Sequence, residues 1–162
     1  MKYEFASAFD RREELVPLFE EYARMLVETD PVFTVSLDQQ HYDVEIANLE
    51  EKYAPPRGRI YLLYVDGALA GCVGMKESDA EHAELKRLFI RPEFRGHNLG
   101  EEMVRKIMAD AKEAGYRWLR LDTLPGLKTA LALYHRMGFY EIDAYYDCLV
   151  PKTIFMEIAV KI

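Results

Sequence analysis

The sequence predicts a mixed α/β fold, one β-sheet covered by helices, and two patterns carry that expectation. The β-prone runs "RIYLLYV" and "ALAGCVGM" flank Asp66-Gly67 and read as an antiparallel hairpin. Strand-like and helix-like segments then alternate from "HAELKRLFI" to "FYEID" in a β-α-β-α-β order. A strand, a crossover helix and a second strand give a parallel pair, so a sheet that begins antiparallel becomes mixed.

Taken in order, "KYEFASA" starts as a strand. Asp10 and Glu13 have capping-box spacing, and Leu15, Leu18, Tyr22 and Leu26 recur at helical spacing. Ser36 with Gln39 repeats the capping pattern and predicts a second helix, with Tyr42, Ile46, Leu49 and Tyr53 along one stripe until "APPRG" stops it. Asp-Gly suits a two-residue hairpin turn because both central residues need positive φ. "ESDAEH" is turn-like, and the strand "HAELKRLFI" ends before Pro92. Over residues 98–114, Leu99, Met103, Ile107 and Ala111 mark a helix, with Glu101–Arg105 and Glu102–Lys106 as i,i+4 pairs and Gly115 as its end. "YRWLRLDT" is a strand, "GLKTALALYHRM" a helix stopped at Gly138, and "FYEID" and "TIFMEIAV" two further strands.

The chain of 162 residues is 50% hydrophobic and 30% charged, the composition of a folded domain. With no repeat, low-complexity tract or linker, residues 1–162 are expected to form a single domain. The net charge of −7 without a basic stripe argues against nucleic acid, and an acidic surface suits a cationic substrate. No apolar stretch approaches the ~20 residues of a membrane span. "MKYEFASAFDRREE" places charges where a signal peptide needs an apolar run, so the expected location is cytoplasmic. Cys72 and Cys148 lack metal or CxxC spacing and read as buried structural thiols; without a grouped His/Cys/Asp set, no metal site is expected.

The chemistry centres on "RPEFRGHNLG", residues 91–100, where the strand ending at Ile90 leads into a helix starting near Asn98. A helix N-terminus offers unpaired N–H groups and a partial positive charge, the elements of an anion site. Arg95 adds a cation, and Gly96 and Gly100 allow close approach. There is no GxxxxGK[ST], no GxGxxG and no kinase motif set. On the residues alone, an anion cradle and an ordinary turn are equally open.

"LKRLFIRPEFRGHNLGEEMV" resembles the acetyl-CoA signature of the GNAT family, the GCN5-related N-acetyltransferases. The pattern Arg/Gln-x-x-Gly-x-Gly/Ala aligns with Arg95, Asn98 and Gly100, with Asn98 in place of a glycine. "ALALYHRMGFY" is similar to the family's second motif, in the family's order and separation, and the resemblance spans nearly the whole chain. It implies the acyl-CoA N-acyltransferase fold: a mixed, centrally splayed sheet of six to seven strands flanked by about four helices.

It also implies residue roles. The strand ending at Ile90 and that around residues 119–123 would be parallel and splay apart, with the pantetheine arm of acetyl-CoA between them. Backbone groups of Leu88, Phe89 and Ile90 would pair with the arm, and the Leu88 amide would meet the thioester oxygen. Arg95, Gly96, His97, Asn98, Leu99 and Gly100 would wrap the pyrophosphate. Tyr134 would contact the cofactor and protonate the departing thiolate, whereas by periodicity alone it reads as core. Glu84 would be the base, sharing strand parity with Lys86 and Leu88, or else a solvated residue or an ion-pair partner of Lys86 or Arg87. His82, His97 and His135 are lesser base candidates. His97 suits phosphate, and His135 points to solvent. Asp122 and Thr123 end a central strand where ligands gather. Tyr145, Tyr146 and the Tyr42–Tyr53 stripe are candidates for an acceptor pocket, or core. Leu127 stands where the family often has a cofactor-contacting asparagine, so that contact is not carried over.

The expected activity is transfer of an acetyl group from acetyl-CoA to a primary amine of a small molecule, by direct attack and with no metal. The alternatives are a non-catalytic acyl-CoA sensor, a longer acyl donor, or a protein N-terminus or lysine as acceptor. Exposed late strands suggest a homodimer. Asn98 tolerates left-handed backbone and can cap a helix, so it is compatible with a cradle.

Overall fold

The computed structural model describes residues 1–39 and 41–160. Its seven strands are β1 (Tyr3–Ser7), β2 (Arg59–Val65), β3 (Ala68–Glu77), β4 (His82–Ile90), β5 (Trp118–Thr123), β6 (Tyr140–Ile142) and β7 (Ile154–Ala159). They form one sheet in the order β1-β2-β3-β4-β5-β7-β6. Only β4 and β5 pair in parallel; every other neighbouring pair is antiparallel. The mixed sheet expected from the element order is therefore present. Its hairpin turn has Asp66 at φ 49° and Gly67 at φ 83°, the two positive values that the Asp-Gly pair predicts.

The helices are α1 (Arg12–Thr29), α2 (Phe33–Gln39), α3 (Tyr42–Ala47), α4 (Leu49–Tyr53), α5 (Leu99–Glu113) and α6 (Lys128–Met137). The expected second helix is thus three short ones. His41 adopts left-handed backbone at φ 54°, and Asn48 leaves helical geometry at φ −133°. Gln40 lies outside the described residues. The apolar stripe still faces inward: Leu49 and Tyr53 are buried, and Tyr42 and Ile46 pack beside them.

Neither predicted capping box forms. Arg11 occupies the N-cap of α1 with no side-chain cap, and Ser36 lies inside α2. The Gln39 amide is spent elsewhere: Nε2 donates to the Asp147 carbonyl (2.6 Å), and Oε1 accepts from the Leu149 N–H (3.0 Å). On α5, Leu99, Met103, Ile107 and Ala111 are buried as the spacing predicts. Glu101 pairs with Arg105 (2.6 Å), but Glu102 instead accepts from the Tyr3 hydroxyl, and Lys106 turns to Asp110.

Two apolar layers hold the sheet. Side chains of α5 and α6 pack on one face, including Met103, Ile107 and Leu133 against Val73, Leu85 and Leu121. On the other face, Leu15, Leu18 and Phe19 of α1 join Leu49 and Tyr53 of α4. Cys72 is buried there, its thiol pushed up to about 12 by burial, whereas Cys148 is only half-buried. No helix is long and apolar enough to cross a membrane among the described residues.

Two irregularities in β4 shape the centre of the sheet. Parallel pairing with β5 runs through His82–Trp118, Ala83–Leu119 and Glu84–Arg120, then stops. Against β3, Cys72 opposes Phe89 and Gly74 opposes Lys86, so Val73 faces both Arg87 and Leu88. This is a β-bulge, with Arg87 in left-handed backbone at φ 59°. A bulge inverts the strand's alternation. Leu88 and Ile90 consequently lie on the α5 face with Ala83 and Leu85, while Glu84 does not. The expected shared parity of Glu84, Lys86 and Leu88 is broken between Lys86 and Leu88.

Candidate active site

The end of β4–β5 pairing leaves a gap between the far halves of the two strands. Lys86, Arg87 and Leu88 line it from β4, Asp122 and Thr123 from β5, and Leu127 and Tyr134 from the segment after β5. The Thr123 hydroxyl is buried there with no hydrogen-bond partner among the described residues. An unpaired buried hydroxyl costs about 1–3 kcal/mol, so this atom is suited to a polar ligand in the gap.

Tyr134 reaches the gap because α6 ends where it does. Gly138 takes φ 102°, and the Phe139 N–H returns to the Tyr134 carbonyl (3.0 Å) while the Gly138 N–H bonds to His135 (3.1 Å). These bonds close a Schellman motif that needs a glycine-like backbone. The Phe139 ring then packs 5.6 Å from that of Tyr134. Tyr134 is 6% exposed, so it belongs to the core, as its periodicity predicts, and it also lines the gap. Burial, with Tyr22 and Asp122 nearby, raises its phenol well above the ordinary value. It carries its proton throughout the neutral range.

At the far end of β4, a single 3-10 turn (Pro92–Phe94) precedes an exposed loop from Arg95 to Asn98. Asn98 is the N-cap of α5 at φ 58°, ψ 22°, the left-handed geometry its residue type allows. Its side chain makes no cap hydrogen bond. The first backbone bond into α5 runs from the Glu102 N–H to the Asn98 carbonyl, so the preceding N–H groups lack intrahelical partners. Gly96 has φ 88° and open space around its Cα. Arg95 Nε donates to the Ile90 carbonyl (2.9 Å), tying the loop to the strand end. Gly100 serves packing: a Cβ there would lie 3.2 Å from Leu133. Leu99 is buried, as is Phe89, whose ring packs edge-on to Tyr22. Leu99 and Phe89 can therefore meet a ligand only through their backbones.

A second, polar pocket adjoins the gap. Glu84, Tyr145, Lys52, Lys76 and Ser78 line it alone, and Lys86, Asp122 and Tyr146 line both cavities. Two consecutive tyrosines close it. Tyr145 donates to Glu84 (2.7 Å) and Tyr146 to Asp122 (2.6 Å). Burial pushes the Glu84 carboxyl up, but Lys86, the Tyr145 hydroxyl and Lys76 outweigh it and hold it below the ordinary value. Glu84 is ionised at neutral pH.

Other candidates fall elsewhere. Tyr42 and Tyr53 are core, their hydroxyls spent on the Phe19 carbonyl and on Glu45. His82 stacks on Trp118 at 4.9 Å and bonds Asp79, and His135 is exposed as expected. Among the described residues no group of three His, Cys, Asp or Glu side chains could hold a metal.

The sequence reading missed the buried support for the bulge. Arg87 forks onto both oxygens of Glu45, which also accepts from Lys52 and the Tyr53 hydroxyl. Burial would raise the Glu45 carboxyl, yet Arg87 and Lys52 bring it down to about 2. The available signal was an acid inside the apolar stripe, one helical turn from Tyr42 and Leu49.

A family model for the acetyltransferase (GNAT) family matches residues 16–139. An uncharacterized N-acetyltransferase of Schizosaccharomyces pombe is 37% identical over 129 residues, 78% of each chain. Among solved structures, a GNAT-family acetyltransferase from Staphylococcus aureus Mu50 superposes with a TM-score of 0.76 at 19% identity, covering 99% of this chain and 100% of that one. The PaiA N-acetyltransferase of Thermoplasma acidophilum, in complex with coenzyme A, gives 0.74 at 20%, covering 98% and 99%. The two motifs, the splayed sheet and the family match agree: the chain belongs to the acetyltransferase (GNAT) family and is an acetyl-CoA-dependent acetyltransferase.

Proposed function

We propose that this chain, acting as one domain, transfers the acetyl group of acetyl-CoA to a primary amine of a small molecule by direct attack. The observation that carries the reading is the junction of two cavities: a gap ending at Tyr134 and a polar pocket share Lys86, Asp122 and Tyr146. A donor and an acceptor can meet there without a covalent enzyme intermediate.

In this reading the N–H groups at the start of α5, from Gly96 to Gly100, receive the pyrophosphate, with Arg95 and His97 beside them. Backbone groups of Leu88, Phe89 and Ile90 pair with the pantetheine arm, and the Thr123 hydroxyl gains its missing partner. The Leu88 amide, displaced by the bulge, faces the thioester oxygen as negative charge develops. Tyr134 donates its proton toward the leaving sulfur. Its raised pKa makes it a hydrogen-bond donor first and a proton source second.

Glu84 is the acceptor for the amine's proton. An ionised carboxylate held below its ordinary value cannot deprotonate a free ammonium efficiently. It can take the proton once the nitrogen has begun to bond to carbon and has become more acidic. Activity should therefore rise with pH as the free amine fraction grows.

A cytoplasmic location fits the two free thiols. A homodimer is part of the same reading, since the three-residue β6 leaves a sheet edge; size-exclusion at two concentrations checks it.

The test is release of free thiol from acetyl-CoA with a panel of amines, beside a melting shift with CoA and with adenosine. Turnover together with a CoA-specific shift is the expected result. Tight CoA binding with no thiol release for any amine would replace the transferase with an acyl-CoA sensor.

A further inference from the structure

We infer that Tyr145 is a positioning residue for the transfer: its hydroxyl holds one oxygen of Glu84 so that the other, Oε1, is presented to the amine in the polar pocket. This rests on the transferase reading and deepens it by giving Glu84 its partner.

Glu84 and Tyr145 both line the polar pocket, although they stand 61 residues apart in the chain. Glu84 is the last residue of β4 paired with β5, so its backbone is fixed just where the sheet splays. That pairing does not fix the side chain. A reacting group misplaced by about 1 Å loses about a hundredfold in rate. Tyr145 supplies the missing constraint by donating to Oε2 at 2.7 Å. Among the described residues Oε1 accepts no hydrogen bond; Lys76 stands 3.7 Å from it, too far for one. Oε1 is therefore the oxygen left to take a proton. In that step an N–H bond of the amine breaks, its electron pair stays on nitrogen, and the proton bonds to Oε1. Tyr145 keeps its own proton.

The ring of Tyr145 is itself held on three sides. The Arg120 guanidinium carbon lies 4.4 Å from its centroid, and Phe155 and Tyr146 pack edge-on at 5.1 and 5.5 Å. Arg120 is the residue opposite Glu84 on β5, so one cross-strand pair carries both the carboxylate and the support for its tyrosine. Arg120 Nη1 donates to the Ser78 hydroxyl (3.3 Å), and Nη2 is 3.7 Å from Glu157. Its Nε is buried with no hydrogen-bond partner among the described residues. An unpaired buried donor costs about 1–3 kcal/mol, so the guanidinium sits where the ring requires it rather than where its own hydrogen bonds are best. Beyond the tyrosines, the same loop is tied to α2 by the two Gln39 hydrogen bonds, to Asp147 and Leu149. A tyrosine that merely satisfied a buried acid would add stability and nothing else. A positioning tyrosine must act through Glu84.

The experiment is a double-mutant cycle on turnover, with saturating acetyl-CoA and the fastest amine of the panel, at a pH where that amine is mostly free base. Free-thiol release gives kcat and KM for Tyr145→Phe, Glu84→Gln and the double variant. Phenylalanine keeps the packed ring and removes only the hydroxyl. Tyr145→Phe should lower kcat about tenfold, with KM for acetyl-CoA and the CoA melting shift unchanged. Glu84→Gln should lower kcat by about a hundredfold or more, and adding Tyr145→Phe to it should cost less than about twofold. Tyr146→Phe, which releases Asp122 from the same loop, should cost the same with or without Glu84. Losses that multiply in the double variant overturn the inference. A Tyr145→Phe variant as fast as the parent or faster also overturns it, the faster case meaning that the hydroxyl competes with the amine for Glu84. If the Tyr146→Phe loss also depends on Glu84, the effect belongs to the loop as a whole and the inference fails. If Tyr145→Phe melts far below the parent, Arg120→Gln makes the same comparison by removing the charge beside the ring. A partial loss that vanishes without Glu84 supports the inference, and an equal loss with and without Glu84 overturns it. Unchanged kcat in Glu84→Gln removes Glu84 and Tyr145 together and leaves the transferase standing. No thiol release by the parent with any amine overturns the transferase itself, and this inference with it.

Discussion

Arg87 holds both carboxylate oxygens of Glu45, Nε to Oε2 at 2.7 Å and Nη2 to Oε1 at 2.8 Å, at the residue where β4 bulges. The pair joins a short helix to the strand that bounds the candidate donor gap. It also takes up the side chain of a residue with φ 59°, a costly backbone state for arginine.

Removing one partner should leave the other buried without its counter-charge. Arg87→Met or Glu45→Gln is expected to cost about 3–5 kcal/mol in urea unfolding, and the double variant less than the sum of the singles. The pH dependence has a defined sign. Glu45 falls from an ordinary 4.5 to about 2 in the fold, so its contribution is full above about 4.5 and is lost as pH falls toward 2. Glu45→Gln should flatten the acid limb of the stability curve over that window; an unchanged limb would contradict it.

Thr123→Val separates stability from binding. The buried hydroxyl has no partner among the described residues, so replacing it should leave the free protein as stable or raise it by about 1 kcal/mol. If the donor arm satisfies that hydroxyl, KM for acetyl-CoA should rise about threefold to tenfold in the same variant. A more stable protein with unchanged KM would remove Thr123 from the donor site.

The Asn98 prediction turns on backbone geometry. At φ 58° with no side-chain cap, asparagine contributes its tolerance of left-handed backbone rather than a hydrogen bond. Asn98→Gly should preserve CoA binding, while Asn98→Val, strained by about 1–2 kcal/mol or more, should weaken it. Isothermal titration with CoA decides; equal affinities for the two variants would mean the loop does not bind through its backbone.

Tyr134→Phe should lower kcat by about a hundredfold or more with little change in melting temperature. Burial raises the phenol above its ordinary value, so its own ionisation should not appear as a falling limb below about pH 10. Turnover unchanged by the substitution at both neutral and high pH would assign Tyr134 to packing alone.

Parts of this molecule were legible because they depend on neighbours in the chain. The Asp66-Gly67 turn, the Leu99–Ala111 stripe and the Gly138 stop each follow from local backbone preference or helical period, and each is observed. The left-handed Asn98 is of the same kind. The second helix failed for the opposite reason. Its Gln39 side chain caps nothing local and instead binds residues 147 and 149 across the protein, and Glu45 is drawn into the core by Arg87.

The sequence by itself determined the order of the strands, the hairpin, the loop into α5 and the family. Tertiary structure alone decided which side chains share a cavity. The bulge at Arg87 turned Leu88 to the opposite face from Glu84, and the loop before β7 brought Tyr145 to Glu84 and Tyr146 to Asp122. The physical reason is range. Turn and helix signals are fixed by φ/ψ preferences within a few residues, whereas a buried carboxylate takes whichever donor the packed chain delivers from far along the sequence.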